Sequence, residues 1–204
     1  MDFFIADLHF GHKNIVNFKD DVGNPLRPFD TVQDMEEAMI QYHNEIVKPT
    51  DKVYMLGDIA FNTRGLMQVN RMNGIKILIK GNHDQSPLNR YIEAGFQDIR
   101  GVDVRNGLVF THVPIHPSEL GRFGCNVHGH LHAQRVRKAR GVDAKTGTVL
   151  YSNDIDPKFL CVSAEHTNLR PISYDEMIER IVAQGGKIGM INGNGSTQNL
   201  FNSH

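Results

Sequence analysis

Apolar residues over the first 95 positions gather in two kinds of bunch. Phe3-Phe4-Ile5-Ala6, Val53-Tyr54-Met55-Leu56 and Ile75-Lys76-Ile77-Leu78-Ile79 are near-continuous runs of strand length. Val32, Met35, Met39, Tyr42 and Ile46 instead recur at helical spacing, which predicts a helix over residues 32–47 with Thr31 as its cap and its Met and Tyr stripe turned to the core. A second helix is predicted over 65–72. A third is predicted after Ser86-Pro87, where Ser would cap and Pro would take the first turn. Beyond residue 95 shorter strands dominate as far as residue 163. Ser173 with Glu176 is a capping-box signature for a late helix ending near Gly185-Gly186. The stretch from 185 on, with Asn192-Gly193-Asn194-Gly195-Ser196, is turn-rich, so the expected organisation is one domain over 1–184 and a tail over 185–204. No internal repeat and no linker is visible.

Where the three strand runs stop, chemistry-bearing residues begin. Asp7-Leu8-His9 follows the first, Gly57-Asp58 the second and Gly81-Asn82-His83-Asp84 the third; Thr111-His112 and Gly129-His130-Leu131-His132 follow later. Strand ends are where sheets present side chains to a ligand. Carboxylate and imidazole donors hold borderline divalent ions, and a carboxylate can bridge two of them. A pair of ions roughly 3.5–4 Å apart acidifies a bound water and neutralises charge developing on a phosphoryl group during in-line attack. Asp7, His9, Asp58, Asn82, His112, His130 and His132 supply enough donors for two ions sharing one bridge. His83 is left over beside Asp84 and could protonate a leaving alkoxide, with a carboxylate fixing its tautomer.

Each motif also has a plainer reading. Asp7-Leu8-His9 alone reads as a strand-ending turn, and Gly57-Asp58 is a common turn dipeptide. Gly81-Asn82-His83-Asp84 resists this, because a turn has no use for His followed by Asp. His130 and His132 could belong to a structural zinc clip, but the thiols available, Cys125 and Cys161, fit no zinc-finger spacing. The two cysteines read as small buried hydrophobes rather than a disulfide.

In order and completeness the five motifs resemble the calcineurin-like metallophosphoesterase superfamily, whose series is D-x-H, G-D, G-N-H followed by D or E, H, and G-H-x-H. The match runs from residue 2 to residue 132. The wording D-L-H-F-G-H-K-N-I, with the later L-C-V-S-A-E and P-I-S-Y-D-E, is similar to small bacterial and phage members. The resemblance implies an α/β fold of two mixed sheets packed as a sandwich with helices outside and metals at the carboxyl ends of central strands. It implies that Asp7, His9, Asp58 and His132 hold one ion and that Asp58, Asn82, His112 and His130 hold the other. His83 matches the catalytic histidine, with Asp84 its partner.

Composition narrows the setting. The chain has 204 residues and a formal net charge of −1, so it suits one domain and carries no overall basic field for long nucleic acid. No signal peptide or long apolar segment is seen, which with the cysteine usage points to a cytoplasmic enzyme and no membrane partner. Candidate substrate contacts are His12, Arg27, His116 and Arg122, with Lys13 beside them. His128 reads as second shell or buried structure. The run Arg135, Arg137, Lys138 and Arg140 reads first as a solvated hairpin and otherwise as a rim that steers a nucleotide. The expected function is therefore a phosphodiesterase on a small nucleotide-like ester, using two divalent ions, manganese first and iron, nickel, zinc or magnesium as alternatives. A nuclease on the same site and a catalytically silent protein-binding scaffold are the other readings. Absence of Trp and of a dense basic stripe counts against the nuclease, and the filled ligand positions against the scaffold. Diester against monoester preference and oligomeric state are not legible.

Overall fold

Strand and helix alternate through the first half of the chain in the computed structural model, which describes residues 1–191 and 197–198. In order come β1 (Asp2–Ile5), α1 (Val32–Ile46), β2 (Lys52–Met55), α2 (Thr63–Met67), β3 (Ile75–Ile79), α3 (Leu88–Glu93) and β4 (Phe96–Arg100). Short strands follow: β5 (Asp103–Arg105), β6 (Leu108–Phe110), β7 (Cys125–His128), β8 (Arg137–Val142), β9 (Val149–Ile155), β10 (Phe159–Cys161) and β11 (Ile172–Ser173), and then α4 (Tyr174–Ala183). One sheet has the order β11-β1-β2-β3-β4 and the other β10-β7-β6-β5. Each is parallel except at one edge, where β11 and β5 run antiparallel to their neighbours. β8 and β9 form a separate antiparallel hairpin.

The sandwich follows from the period-2 alternation of strands buried on both faces. Phe3, Ile5, Val53, Met55 and Leu78 pack with α1, α2 and α3 on one side of the first sheet. Phe4, Ala6, Tyr54, Leu56, Ile77 and Ile79 point the other way, onto Leu108, Phe110, Cys125, Val127 and Leu160 of the second sheet. Phe4 stacks on Tyr54 within its own sheet at 5.2 Å and on Phe110 across the interface at 5.1 Å. With Phe4 fully buried, Phe4→Ala would lose about 3–5 kcal/mol. The outer face of the second sheet is covered by a helical turn over Pro117–Leu120, whose Leu120 packs with Val109 and Phe159.

α1 forms where its periodicity predicts, with Thr31 accepting a hydrogen bond from the Asp34 amide at 3.1 Å, but its buried face is turned toward Glu36, Ile40 and His43 beside Val32, Met35 and Met39, leaving Tyr42 and Ile46 half-buried. α2 departs from prediction: it begins at Thr63 behind an Asn62 cap and gives way to a 3-10 turn over Gln68–Arg71. Asn62 both caps Gly65 and donates to the Gly11 carbonyl, so a contact distant in sequence sets where this helix starts. Pro87 takes the cap position of α3, not its first turn; its ψ of 146° is extended and no side chain caps the helix. α4 starts after Ser173, whose hydroxyl accepts from the Glu176 amide, and it ends at Ala183, with Gly185 following the Gln184 cap at φ +84°. Past residue 184, Ile188 packs against the inter-sheet core and Gly189 lies against Gly107. Asn192 to Ser196, singled out as turn-rich, lie outside the described residues.

Candidate metal centre

All five motif segments stand at the carboxyl ends of β1, β2, β3, β6 and β7, as the strand endings predict. The loops after β1 and β2 stay paired beyond their strands. The amide of Asp7 donates to the Gly57 carbonyl and that of His9 to the Asp58 carbonyl, both at 3.0 Å. Asp7, His9, Asp58, His130 and His132 have φ between 50° and 71°, a left-handed conformation that non-glycine residues seldom adopt. The motif glycines make room: a Cβ at Gly129 would lie 2.6 Å from Asp7 Oδ2, and one at Gly81 would collide with Asp58 Oδ1.

Two sets of donors result. Asp7, His9 and His132 form one, Asp58, His112 and His130 the other, and within each the ligand atoms lie within 4.8 Å of one another. The sets touch: His9 Nε2 is 3.7 Å from Asp7 Oδ1 and 3.8 Å from Asp58 Oδ2. His112 Nε2 is 3.2 Å from Asp58 Oδ2 and 3.0 Å from Asn82 Oδ1, which brings Asn82 to the second set.

These residues fit divalent ions. His9 is 3% exposed, yet neither ring nitrogen has a hydrogen-bond partner, a costly arrangement unless something else engages them. The anchored imidazoles are held by the nitrogen that faces away: His112 Nδ1 on the Leu56 carbonyl at 2.8 Å, His132 Nδ1 on Glu165 at 3.0 Å. That fixes the tautomer and leaves Nε2 as the donor. Asp7 accepts from the His130 amide at 2.9 Å and from Ser163 Oγ at 2.7 Å. The donor set of carboxylate, imidazole and amide oxygen matches borderline divalent metals.

Several other assignments change. Arg27, expected at the substrate, is fully buried. Its guanidinium donates to the Leu8 carbonyl at 2.8 Å and to the Asp7 carbonyl, and pairs with Glu165 at 2.9 Å. Burial pushes the Glu165 carboxyl up, but Arg27 and His132 outweigh it and hold it down at about 2. Asp84, expected to orient His83, spends both oxygens on backbone amides: those of Asp58 and Gly81 on Oδ2 at 2.9 and 2.8 Å, and that of Ile59 on Oδ1 at 3.0 Å. It therefore fastens the Asp58 loop to the Asn82 loop; burial is the largest influence on its carboxyl and raises it. Arg122 is exposed, with its guanidinium 5.4 Å from the Phe123 ring and no contact to the donor sets.

His83 is exposed, its amide donates to Asp58 Oδ1 at 2.9 Å, and its ring lies 6.2 Å from that of His9. Phe61 stacks on His12 at 4.1 Å and stands 5.0 Å from His9 and 4.6 Å from His83, so His12 does belong to this cleft. His116 is exposed and caps the turn over Pro117–Leu120. His128 is buried, with Nδ1 on the Gly129 carbonyl. Cys125 and Cys161 are buried free thiols, as expected. Sequence reading missed Phe61, Ser163 and Glu165. Phe61 follows Asp58 by three residues and could have been found as an aromatic just past a motif; nothing local to Glu165 signals His132, which lies 33 positions away.

No family model matches the chain. It is 29% identical over 198 residues to an uncharacterized protein of Methanocaldococcus jannaschii, covering 93% of this chain and 96% of that one. A crystal structure of a protein of unknown function from Aquifex aeolicus superposes with a TM-score of 0.59 and 22% identity over 88% of this chain and 98% of that one, so the fold is shared along most of the length. Looser superpositions are found with the Pseudomonas putida nuclease MPE (TM-score 0.46, 18% identity, 80% of this chain and 74% of that one) and with an archaeal phosphodiesterase (TM-score 0.42, 16% identity, 79% and 81%). No helix among the described residues is long and apolar enough to cross a membrane.

Proposed function

We propose that this chain is a dinuclear metal-dependent phosphohydrolase of the calcineurin-like type, a phosphodiesterase acting on a small nucleotide-like ester. The observation that carries the reading is the contact between the two Asp/His sets at Asp58, with exposed His83 beside them. Asp7, His9, Asp58 and His132 would hold one ion; Asp58, Asn82, His112 and His130 would hold the other. Two divalent ions, manganese foremost, would supply an acidified water and neutralise charge on the phosphoryl group.

The chain's own groups do the rest. Leu56 and Glu165 fix the tautomers of His112 and His132. Asp84 keeps the Asp58 and Asn82 loops in register. His83, anchored through its amide and flanked by Phe61, would protonate a leaving alkoxide. Its position comes from the backbone, since Asp84 is engaged elsewhere. The net charge of −1 favours a small ester over a long polyanion.

A panel of generic diester, monoester, cyclic nucleotides and short oligonucleotides, assayed with manganese, nickel, magnesium and zinc, tests this reading. Turnover of a small diester above DNA supports it; efficient cutting of long nucleic acid with small diesters resistant makes the enzyme a nuclease, and no turnover at two bound ions sinks the proposal. His83→Ala should keep both ions and lose about 10²–10⁴-fold on esters with alkoxide leaving groups, and far less on a nitrophenyl ester. Equal loss on both ester types, or loss of an ion, removes His83 from the acid role.

A further inference from the structure

The loops that carry His112 and His132 run on into the walls of a cavity that the metal chemistry does not use. Pro114 and Ile115 line it from one side, two and three residues after His112, and Val136 lines it from the other, four after His132. The β8–β9 hairpin closes it with Val149 and Tyr151, and Phe159 forms part of its floor. Its volume is about 660 Å³, within the range of small-molecule sites, whose walls are apolar with a few placed polar groups. Those groups here are His116, Arg137, Lys138 and Asp156.

The depressions that lie between the metal centre and the cavity share lining residues. A first depression is lined by His132 together with Asp21, Ala133 and Gln134; a second shares those last three and adds Arg135 and Arg137; Arg137 then lines the cavity itself. Of these cations, Arg137 bonds only to the neutral Asn153 side chain at 3.2 Å, and none of Arg135, Arg137 and Lys138 forms an ion pair among the described residues. Asp20 and Asp21 are the carboxylates on this path, and Asp20 spends its oxygens on the Val22 and Asn24 amides and the Asn24 side chain. Tyr151 is 59% exposed and Val149 42%, an unusual outlay of apolar surface on a two-stranded hairpin with no core beneath it.

We propose that this groove and cavity are the leaving-group subsite, and that they take a nucleoside bearing a phosphate beyond the scissile one. The flat base would lie among Tyr151, Val149, Ile115 and Phe159. Arg137 and Lys138 would meet the distal phosphate, and Asp156 would accept from a base or ribose donor. The assignment rests on the phosphoesterase reading for the meaning of "leaving group", but its ligand chemistry is set by the cavity alone. It also makes His116 a substrate contact through this cavity rather than at the metals.

The test is binding of ADP, AMP and inorganic phosphate to the metal-free full-length protein, followed by methyl NMR of Ile115, Val142 and Val149, with Tyr151→Ala and Arg137→Ala compared. Both positions lie on the exposed hairpin, so folding should be undisturbed. ADP should move those methyl signals and inorganic phosphate should not. Each variant should weaken ADP binding about tenfold, which corresponds to loss of one good contact. ADP binding that leaves the methyls unmoved, or variants that bind as the parent does, overturns the subsite. Turnover of bis(4-nitrophenyl) phosphate by the manganese-loaded variants separates the two readings: activity equal to the parent's, with ADP binding unchanged, refutes only the subsite. Absence of activity in the parent, with ADP still moving the methyls, refutes only the phosphoesterase.

Discussion

Replacing Arg27 by Met should unfold this protein more readily, not weaken its grip on substrate. The guanidinium is fully buried, contacts the backbone carbonyls of Asp7 and Leu8, and neutralises a Glu165 side chain that is 4% exposed. Met can fill the volume between Met35 and Met39, which already approach the Arg27 side chain. It supplies none of the donors. Stranding one partner of a buried ion pair removes about 3–5 kcal/mol, and the carbonyls lose partners as well, so about 4 kcal/mol is a moderate expectation. For a chain of this size each kcal/mol moves the melting midpoint by about 2–4 °C, giving a fall of about 8–16 °C. Thermal and urea unfolding of metal-free protein is the assay, so that ion affinity does not enter. Glu165→Leu added to Arg27→Met should restore part of the loss, because no buried carboxylate is then left unpaired, while His132 loses its Nδ1 partner. The reasoning fails if Arg27→Met melts within about 3 °C of the parent while KM rises several-fold, the signature of an arginine that meets phosphate.

Three further outcomes follow from the same geometry. Asp58→Asn should leave fewer than one ion per chain after reconstitution, measured by elemental analysis beside a circular dichroism check of folding, because Asp58 approaches donors of both sets; one ion fully retained would show that Asp58 is no bridge. Burial holds His43 down at about 4, from an ordinary 6.5, so it stays neutral when folded while the unfolded chain takes up a proton. Stability is therefore full above pH 6.5 and falls between 6.5 and 4 by about 3 kcal/mol per such group, and His43→Gln should flatten that slope in metal-free protein, leaving the share of His128, also held at about 4; a parent-like pH profile in the variant would remove His43 as the cause. Gly65→Ala would gain helix propensity but drive a Cβ into the Phe10 carbonyl, so a net loss of about 1–3 kcal/mol is expected, and denaturant midpoints equal to the parent's would refute it.

The strands and the motif segments that follow them were legible because both are local: an apolar run states where a strand ends, and the residue after it is the one presented. Thr31 and Ser173 worked as caps for the same reason, each needing only an amide three residues on. Arg27 and Asp84 misled because their partners are set by tertiary folding. A charged side chain near a motif looks the same in sequence whether it faces a phosphate or a buried carboxylate 138 residues away. The early start of α2 has the same origin, since Asn62 is committed to Gly11. Glu165 lay within a stretch that resembles relatives, but its contact with His132 could not be seen without the fold.

Each donor set draws on both sheets. Asp7 and His9 leave β1 and Asp58 leaves β2, whereas His112 leaves β6 and His130 and His132 leave β7. An ion in either set would thus be a rivet through the sandwich, resisting any slide of one layer over the other. During synthesis the second set cannot be complete until residue 130 has left the ribosome, nor the first until residue 132 has, and both need the second layer docked. Any ion would then meet a frame already assembled from both layers, its left-handed loop residues already in place.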